Sequence, residues 1–229
     1  MGWKDGIART TYLTLRAEVV AARWVGMSML STSRSFGLYR RIFFEGRTAQ
    51  EVLDTVRNEV VVDIGCGFTP YFSDSMFQTC EAEGIAFYGV DPVLAEGMRS
   101  PWYSRTVAHL AGSFGRYLQH PPGQERMLGV YADAIPLETA CVDRILASMS
   151  LFIWVDDEEV LAGIFTEFAR LLRVGGQVHI YPHPPWNHLS CKNPRLHRAF
   201  DAFDITQAFV ITGNPVAAPP AYRTIFTKR

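Results

Sequence analysis

A short hydrophobic segment that runs directly into an acid and two glycines constrains the fold of this chain more than any other feature. Residues 60–70 read VVVDIGCGFTP, and the first part is rich in β-branched side chains. Such a run is typical of a strand that is buried on both faces of a parallel sheet. Gly65 and Gly67 allow a sharp turn and the close approach of another group to the backbone. Asp63 is costly to bury alone, so either solvent or a ligand is expected to satisfy it.

Strands and helices alternate along the rest of the chain, and two further strands are followed by acids. The strand IAFYGVD ends at Asp91, and the predicted strand in GVYADAIPL carries Asp133 at its end. A fourth strand is predicted in VDRILASMSLFIWV and a fifth in QVHIYPHPPW. The segment 156–176 has acids in its first turn and two glycines at its end, which predicts a helix. This alternation predicts one doubly wound, Rossmann-like α/β sheet of seven mainly parallel strands.

Composition sets the size and the general class of the protein. The 229 residues are enough for one sizeable α/β domain, which we place at 56–229. The net charge of -1 gives no general electrostatic reason to expect nucleic acid as a partner. The four cysteines stand far apart, which fits reduced thiols in a cytoplasmic protein. We therefore expect a cytoplasmic protein that binds neither nucleic acid nor a membrane and holds no metal ion; a homodimer is left open.

The N-terminal segment 1–55 is predicted to be helical, because its apolar residues recur at helical spacing. A serine-rich break, SMLSTSRSFG, divides it. Two interpretations stay open: a structural flank packed on the sheet, or a lid over its open end that excludes water.

Five motifs in order resemble those of class I S-adenosylmethionine-dependent methyltransferases. They are DIGCG at 63–67, Asp91, ADAIPL at 132–137, SMSLFIWVDD, and LLRVGGQVHI, and together they cover roughly residues 55–185. The resemblance implies a bound S-adenosyl-L-methionine (SAM). It implies that Gly65 and Gly67 pass beside the methionyl part, with Asp63 near its amino group. It further implies that Asp91 accepts the ribose hydroxyls, that Asp133 and Ala134 meet the adenine, and that Ser148 and Met149 lie near the sulfonium.

A nicotinamide or flavin enzyme is the competing interpretation of a glycine-rich turn after a strand. Pro70 stands where the third glycine of a GxGxxG motif would be, and it removes an amide from the helix terminus that would hold pyrophosphate. Asp63 also precedes the glycines. Both features count against a dinucleotide.

Candidate catalytic and substrate-binding residues follow from position and residue type. His183, just after the fifth strand, is the best-placed base, and Tyr181 lies in the same loop. Aromatic faces stabilise cations such as a sulfonium. The candidates for such a wall are Phe36, Tyr39, Phe152 and Trp154.

The resemblance implies a SAM-dependent methyltransferase, and we expect it to act on a small molecule. Two alternatives stay open, because little sequence is left to form an acceptor site. One is a cyclase of the same fold that converts SAM to azetidine-2-carboxylate and methylthioadenosine. The other is a non-catalytic SAM-binding partner protein.

Overall fold

The structure is a computed structural model, and it describes residues 2–24, 34–96, 118–189, 191–214 and 217–229. The α-helices are α1 (Trp3–Trp24), α2 (Phe36–Phe43), α3 (Ala49–Val56), α4 (Met76–Ala82), α5 (Glu158–Leu171) and α6 (Pro194–Phe200). The strands are β1 (Val61–Ile64), β2 (Phe87–Val90), β3 (Met127–Leu128), β4 (Val142–Ser148), β5 (Leu172–His183), β6 (Phe203–Val210) and β7 (Ala221–Lys228). Parts of the serine-rich break and of the long connection after β2 lie outside the described residues.

Within these residues, seven strands form one sheet in the order β3-β2-β1-β4-β5-β7-β6. The pairs among β1 to β5 are parallel, whereas β7 runs antiparallel to both β5 and β6. The predicted Rossmann-like, mainly parallel seven-stranded sheet is therefore confirmed. Parallel order brings the carboxyl ends of β1, β2 and β4 to one edge, where ligands bind in open α/β sheets.

Helices cover both faces of the sheet, so its central strands are buried on both sides. All four residues of β1 are buried. Val62 and Ile64 belong to the core that contains α5, and Val61 belongs to the core that contains α2, α3 and α4. Alternate side chains of β1 thus pack into the cores on opposite faces of the sheet, as the continuous apolar run at 60–62 predicts. The segment 36–56 shares the second of these cores with the sheet.

The third strand differs from the prediction. It pairs with β2 through Met127 and Leu128 only, and the expected strand at 129–137 is a loop. A Cβ added at Gly129 would lie 2.4 Å from the amide nitrogen of Ala95. The turn after β2 therefore packs directly on this backbone and ends the strand.

The helix predicted at 156–176 ends earlier than its glycines. Asp157 caps α5 by accepting hydrogen bonds from two backbone amides, and the helix ends at Leu171. Leu172 is already extended and fully buried, and it pairs with Val142. Burial of Leu172 thus ends the helix, and Gly175, with φ of 80°, lies within an irregular stretch of β5.

A short 3₁₀ turn separates the glycine turn from the next α-helix. Thr69 and Pro70 form a separate 3₁₀ turn, Thr69–Tyr71. Ser75 then caps α4 by accepting a hydrogen bond from the amide of Gln78 at 3.1 Å. No helix within the described ranges has the length and apolarity needed to cross a membrane.

Candidate functional site

A cavity of about 460 Å³ lies at the carboxyl ends of β1, β2 and β4. Its wall is formed by the turn after β1, residues 90–93 after β2, residues 130–133, and residues 149–151, 154 and 155 after β4, together with Arg34 and the first half of α5. The cavity thus occupies the sheet edge at which the sequence predicts a ligand.

The turn after β1 forms the floor of this cavity and requires glycine. Gly65 and Gly67 have φ of 65° and 54°, in the left-handed region. An ideal Cβ on Gly65 would lie 2.4 Å from the Cβ of Ser150. The hydroxyl of Ser150 donates a hydrogen bond to the carbonyl of Ile64 at 3.0 Å, which holds the loop after β4 against the turn. Ser150 lines the cavity and was not predicted from the sequence.

Asp91 lines the cavity and joins β2 to the glycine turn. One carboxylate oxygen accepts a hydrogen bond from the amide of Gly67 at 2.9 Å, and the other accepts one from the amide of Val93 at 3.0 Å. Burial raises the pKa of Asp91, and these two amides oppose that rise. A carboxylate has more lone pairs than these two bonds use, so Asp91 retains acceptor capacity toward the cavity.

Asp63 lies behind the cavity wall and not in it. It is 3% exposed, and its Oδ2 accepts a hydrogen bond from the hydroxyl of Tyr39 at 2.7 Å. Its Oδ1 has no hydrogen-bond partner among the described residues. Burial raises the pKa of Asp63 to about 7, against the opposing effects of the Arg34 charge and the Tyr39 hydrogen bond. The structure therefore does not bring Asp63 to the cavity surface, where the resemblance implies a contact with an amino group.

Arg34 provides the cationic side chain at this place. It is 7% exposed, it lines the cavity, and one guanidinium nitrogen donates to the carbonyl of Gly65 at 3.1 Å. Its Nε has no hydrogen-bond partner among the described residues. Arg34 lies within the serine-rich break, whose pattern predicts only a connection, so a buried charge was not recognisable from the sequence.

The other predicted cofactor residues divide between the cavity and its surroundings. Asp133 and Met149 line the cavity, and Met149 has a positive φ of 56°. Ala134 lies outside the lining, and its amide donates to the carbonyl of Tyr131 at 3.2 Å. Ser148 is 1% exposed and also lies outside the lining. Ser148 therefore points into the protein at the end of β4, whereas the next residue reaches the cavity.

The two candidate catalytic residues do not line the cavity. His183 is fully buried, with Nδ1 2.8 Å from the carbonyl of Pro184 and its ring stacked on Trp186. Burial lowers its pKa to about 4. The hydroxyl of Tyr181 donates to the carbonyl of Pro219, and burial raises the pKa of this phenol. Since neither residue lines the cavity, the geometry gives no support to the predicted role of His183 as a base or to a catalytic Tyr181.

Of the four predicted aromatic residues, the structure brings Trp154 to the cavity. Phe152 is buried with its ring edge against His183 at 4.8 Å. Tyr39 is fully buried against Phe43 and Asp63, and Phe36 packs against the core that contains Tyr39. Three of these side chains serve the core, because a large apolar ring gains more from complete burial than from lining a polar cavity.

Helix α1 is attached to the loop that forms one side of the cavity. Its Arg16 donates to the carbonyl of Phe152 at 3.3 Å and forms an ion pair with Asp156. Its Arg23 donates to the carbonyl of Trp154. Helix α1 therefore holds the backbone of the loop that carries Trp154 into the cavity wall.

The sheet order and the glycine turn together define the fold of class I SAM-dependent methyltransferases, as the sequence motifs predict. Solved structures to which this chain is similar include a SAM-dependent methyltransferase from Methanosarcina mazei (12% identity, TM-score 0.44); the aligned region covers 76% of this chain and 94% of that chain. They also include a geranyl diphosphate C-methyltransferase from Streptomyces coelicolor A3(2) (16% identity, TM-score 0.41, covering 100% of this chain and 98% of its own). A 30S ribosomal A1408 methyltransferase from an uncultured bacterium has 13% identity and a TM-score of 0.43, covering 80% of this chain and 95% of its own. No protein-family model and no curated protein matches the chain.

One of these findings corrects an expectation. The prediction that nucleic acid is not a partner is wrong, because proteins of this fold include a ribosomal methyltransferase. The net charge of -1 was a poor guide, since it describes the whole chain and not the surface around one cavity.

Proposed function

We propose that this protein binds SAM in the cavity at the carboxyl edge of the sheet and transfers the methyl group to a small-molecule acceptor. The observation that carries the proposal is the joint placement of Gly65, Asp91 and Arg34 around one cavity. These three residues offer an open backbone turn, an acceptor for hydroxyl groups and a cation. SAM contains a matching ribose and an amino-acid group.

The residues that line the cavity match the chemical groups of SAM. The absence of a Cβ at Gly65 lets the loop after β4 pack against the glycine turn beside the cavity, since a methyl group there would overlap Ser150. Asp91 has acceptor capacity left for ribose hydroxyls, and charge-assisted hydrogen bonds of this kind are strong. Asp133 would accept a hydrogen bond from the adenine amino group. Met149 would lie near the methionyl part.

The cofactor supplies a methyl group on a sulfonium, which is electrophilic without further activation. The chain then has to hold the acceptor in line and to exclude water. Trp154 lines the cavity and offers an aromatic face of the kind that stabilises a cation. Arg16 and Arg23 hold the carbonyls of residues 152 and 154, so α1 supports the wall to which Trp154 belongs. In this role the N-terminal helix acts as part of a lid.

The size and shape of the cavity are those of a small-molecule site. Its volume of about 460 Å³ is within the usual range for such sites, and SAM itself would occupy part of it. It is also concave, with Trp154 and the exposed Tyr131 among the residues of its wall.

Purified protein, incubated with SAM and with fractions of a cell extract, tests this proposal. We expect S-adenosylhomocysteine to form only when a low-molecular-weight fraction is added. Formation only with an RNA fraction would overturn the small-molecule acceptor, and methylthioadenosine without any acceptor would show the cyclase instead. Asp91→Ala should lose product formation, whereas Asp54→Asn, a change on exposed α3, should not. Failure of the wild-type protein to bind SAM in calorimetry would overturn the whole proposal.

A further inference from the structure

Helix α1 carries a second row of uncharged residues on the face opposite to the one that it buries. Its buried residues are Ala8, Val19 and Ala22, and α1 contacts β7. The second row recurs at alternating spacings of three and four residues, which is the spacing of a seam between two paired helices. It consists of Trp3, Gly6, Thr10, Leu13, Ala17, Val20 and Trp24, and all of these except Gly6 are exposed. The outer face of α1 is therefore suited to pack against another helix.

The exposed apolar surface of this row is large for a monomeric protein. Trp3 and Trp24 are 65% and 88% exposed, and Leu13 and Val20 are 55% and 47% exposed. These four side chains present on the order of 600 Å² of surface, whereas the patches on monomers rarely exceed a few hundred Å². An interface of standard size uses about 800 Å² from each partner. With the small residues between the large ones, the row has the area that a stable dimer needs.

A groove lies beside the N-terminal half of the same row. It has a volume of about 590 Å³, and Gly6, Ile7 and Thr10 are among the residues that line it. Trp24 lies 18 residues after Gly6, which is about 27 Å along the helix. A two-fold interface uses the same patch on both copies. The exposed indole at one end of α1 and the groove at the other end therefore match each other when the two helices run antiparallel.

We infer that a second copy of this chain binds the outer face of α1, with the two helices antiparallel and Trp24 of each copy in the groove beside Gly6 of the other. In this register every large residue of the row between these two positions faces a small one. The facing pairs are Trp24 with Gly6, Val20 with Thr10, and Leu13 with Ala17. In a parallel pair each residue would face its own copy, so that Gly6 would leave a gap. The homodimer does not depend on the proposed methyl transfer.

Sedimentation velocity on the full chain tests the inference at concentrations of about 1–100 μM, where we expect a dimer. Gly6→Leu fills the groove, and an added Cβ at this position would meet no other part of the chain within 4 Å. Leucine also favours a helix over glycine, so the monomer should keep its fold. The dissociation constant of the dimer should rise about 10-fold or more in Gly6→Leu and about 30-fold or more in Trp24→Ser. Val174→Ser is the matched control, because Val174 is 78% exposed on β5, and it should leave the constant unchanged.

Mixed variants test the antiparallel direction. Leu13→Lys and Ala17→Glu should each prevent dimerisation alone, because each buries an unpaired charge in the seam. When the two variants are mixed, a heterodimer should form, since the new lysine of one copy faces the new glutamate of the other. If both variants stay monomeric in the mixture, the antiparallel arrangement is wrong.

Three other outcomes would overturn the inference as a whole. A wild-type protein that stays monomeric at about 100 μM has no such interface. Equal dimerisation of the wild type, Gly6→Leu and Trp24→Ser would place the interface elsewhere on the molecule. A monomer that cosediments with anionic phospholipid vesicles would show that the outer face of α1 binds a membrane surface instead. If Gly6→Leu fails to fold, Trp24→Ser still decides, because its side chain is 88% exposed and contributes little to the core.

Discussion

Replacing Gly65 by alanine separates two costs that the structure assigns to this position. The first is the left-handed backbone at φ of 65°, which costs a residue with a Cβ about 1–2 kcal/mol. The second is overlap, because the new Cβ would lie 2.4 Å from the Cβ and 2.9 Å from the hydroxyl of Ser150. Overpacking of this kind costs about 1–3 kcal/mol. Gly65→Ala should therefore lower the free energy of unfolding by about 2–5 kcal/mol.

A double-mutant cycle isolates the overlap. Ser150→Gly removes both close atoms and leaves the backbone Cα of residue 150 at 3.8 Å, an ordinary contact. In this background Gly65→Ala should cost only the backbone term of about 1–2 kcal/mol. Ser150→Gly removes the hydrogen bond to Ile64 whether residue 65 is glycine or alanine, so this loss cancels in the cycle. The expected coupling energy is about 1–3 kcal/mol.

Gly84→Ala is the control for the backbone term. Gly84 has φ of 67°, and an added Cβ would meet no atom within 4 Å. Its cost in urea unfolding, read from the midpoint and the slope, should equal that of Gly65→Ala in the Ser150→Gly background. A coupling energy below about 0.5 kcal/mol would refute the reasoning, because Ser150 and Gly65 would then not be in the close contact described.

Three further predictions concern the charged groups. Asp91→Ala should lower the unfolding free energy by about 1–3 kcal/mol even without ligand, because the amides of Gly67 and Val93 lose their acceptor; an unchanged urea midpoint would contradict this. The pKa of Asp63 is raised from 3.8 to about 7, so the stability gained from its proton is fully present below about pH 4 and is lost as the pH rises through 7. The free energy of unfolding of Asp63→Asn should therefore rise relative to that of the wild type between pH 4 and 8, by about 4 kcal/mol at most. If the unfolding free energies of the two proteins change in parallel with pH, the raised pKa of Asp63 is refuted. Arg16→Ala should speed amide hydrogen exchange at residues 152–156 and cost about 1 kcal/mol, since its ion pair with Asp156 is partly exposed; unchanged exchange there would show that α1 does not support the loop.

The sequence predicts the parts of the fold that depend on short-range patterns. The apolar run at 60–62 and the glycines after it specify a buried strand and a turn, and Asp91 follows the next strand as expected. The start of α5 is marked by acids and by the cap at Asp157. Each of these signals lies within a few residues of the element that it specifies.

The parts that the sequence does not specify depend on long-range packing. The length of β3 is set by contact of Gly129 with Ala95, and the end of α5 by the pairing of Leu172 with β4. His183 and Tyr181 follow a strand in the sequence as a catalytic residue would, but their side chains point into the core. The position of Arg34 at the cavity could not be predicted from the sequence, because its guanidinium interacts with Asp63, which lies 29 residues later in the chain.

The antiparallel strand β7 has a consequence for the order in which this protein can fold on the ribosome. It lies between β5 and β6 and pairs with both, although it follows both along the chain. Until β7 has been synthesised, β6 has no partner in the sheet and β5 exposes an unpaired edge, which is an aggregation hazard. Closure of this side of the sheet therefore follows the synthesis of β5, β6 and β7, and the nascent chain is expected to need protection of β5 until that point.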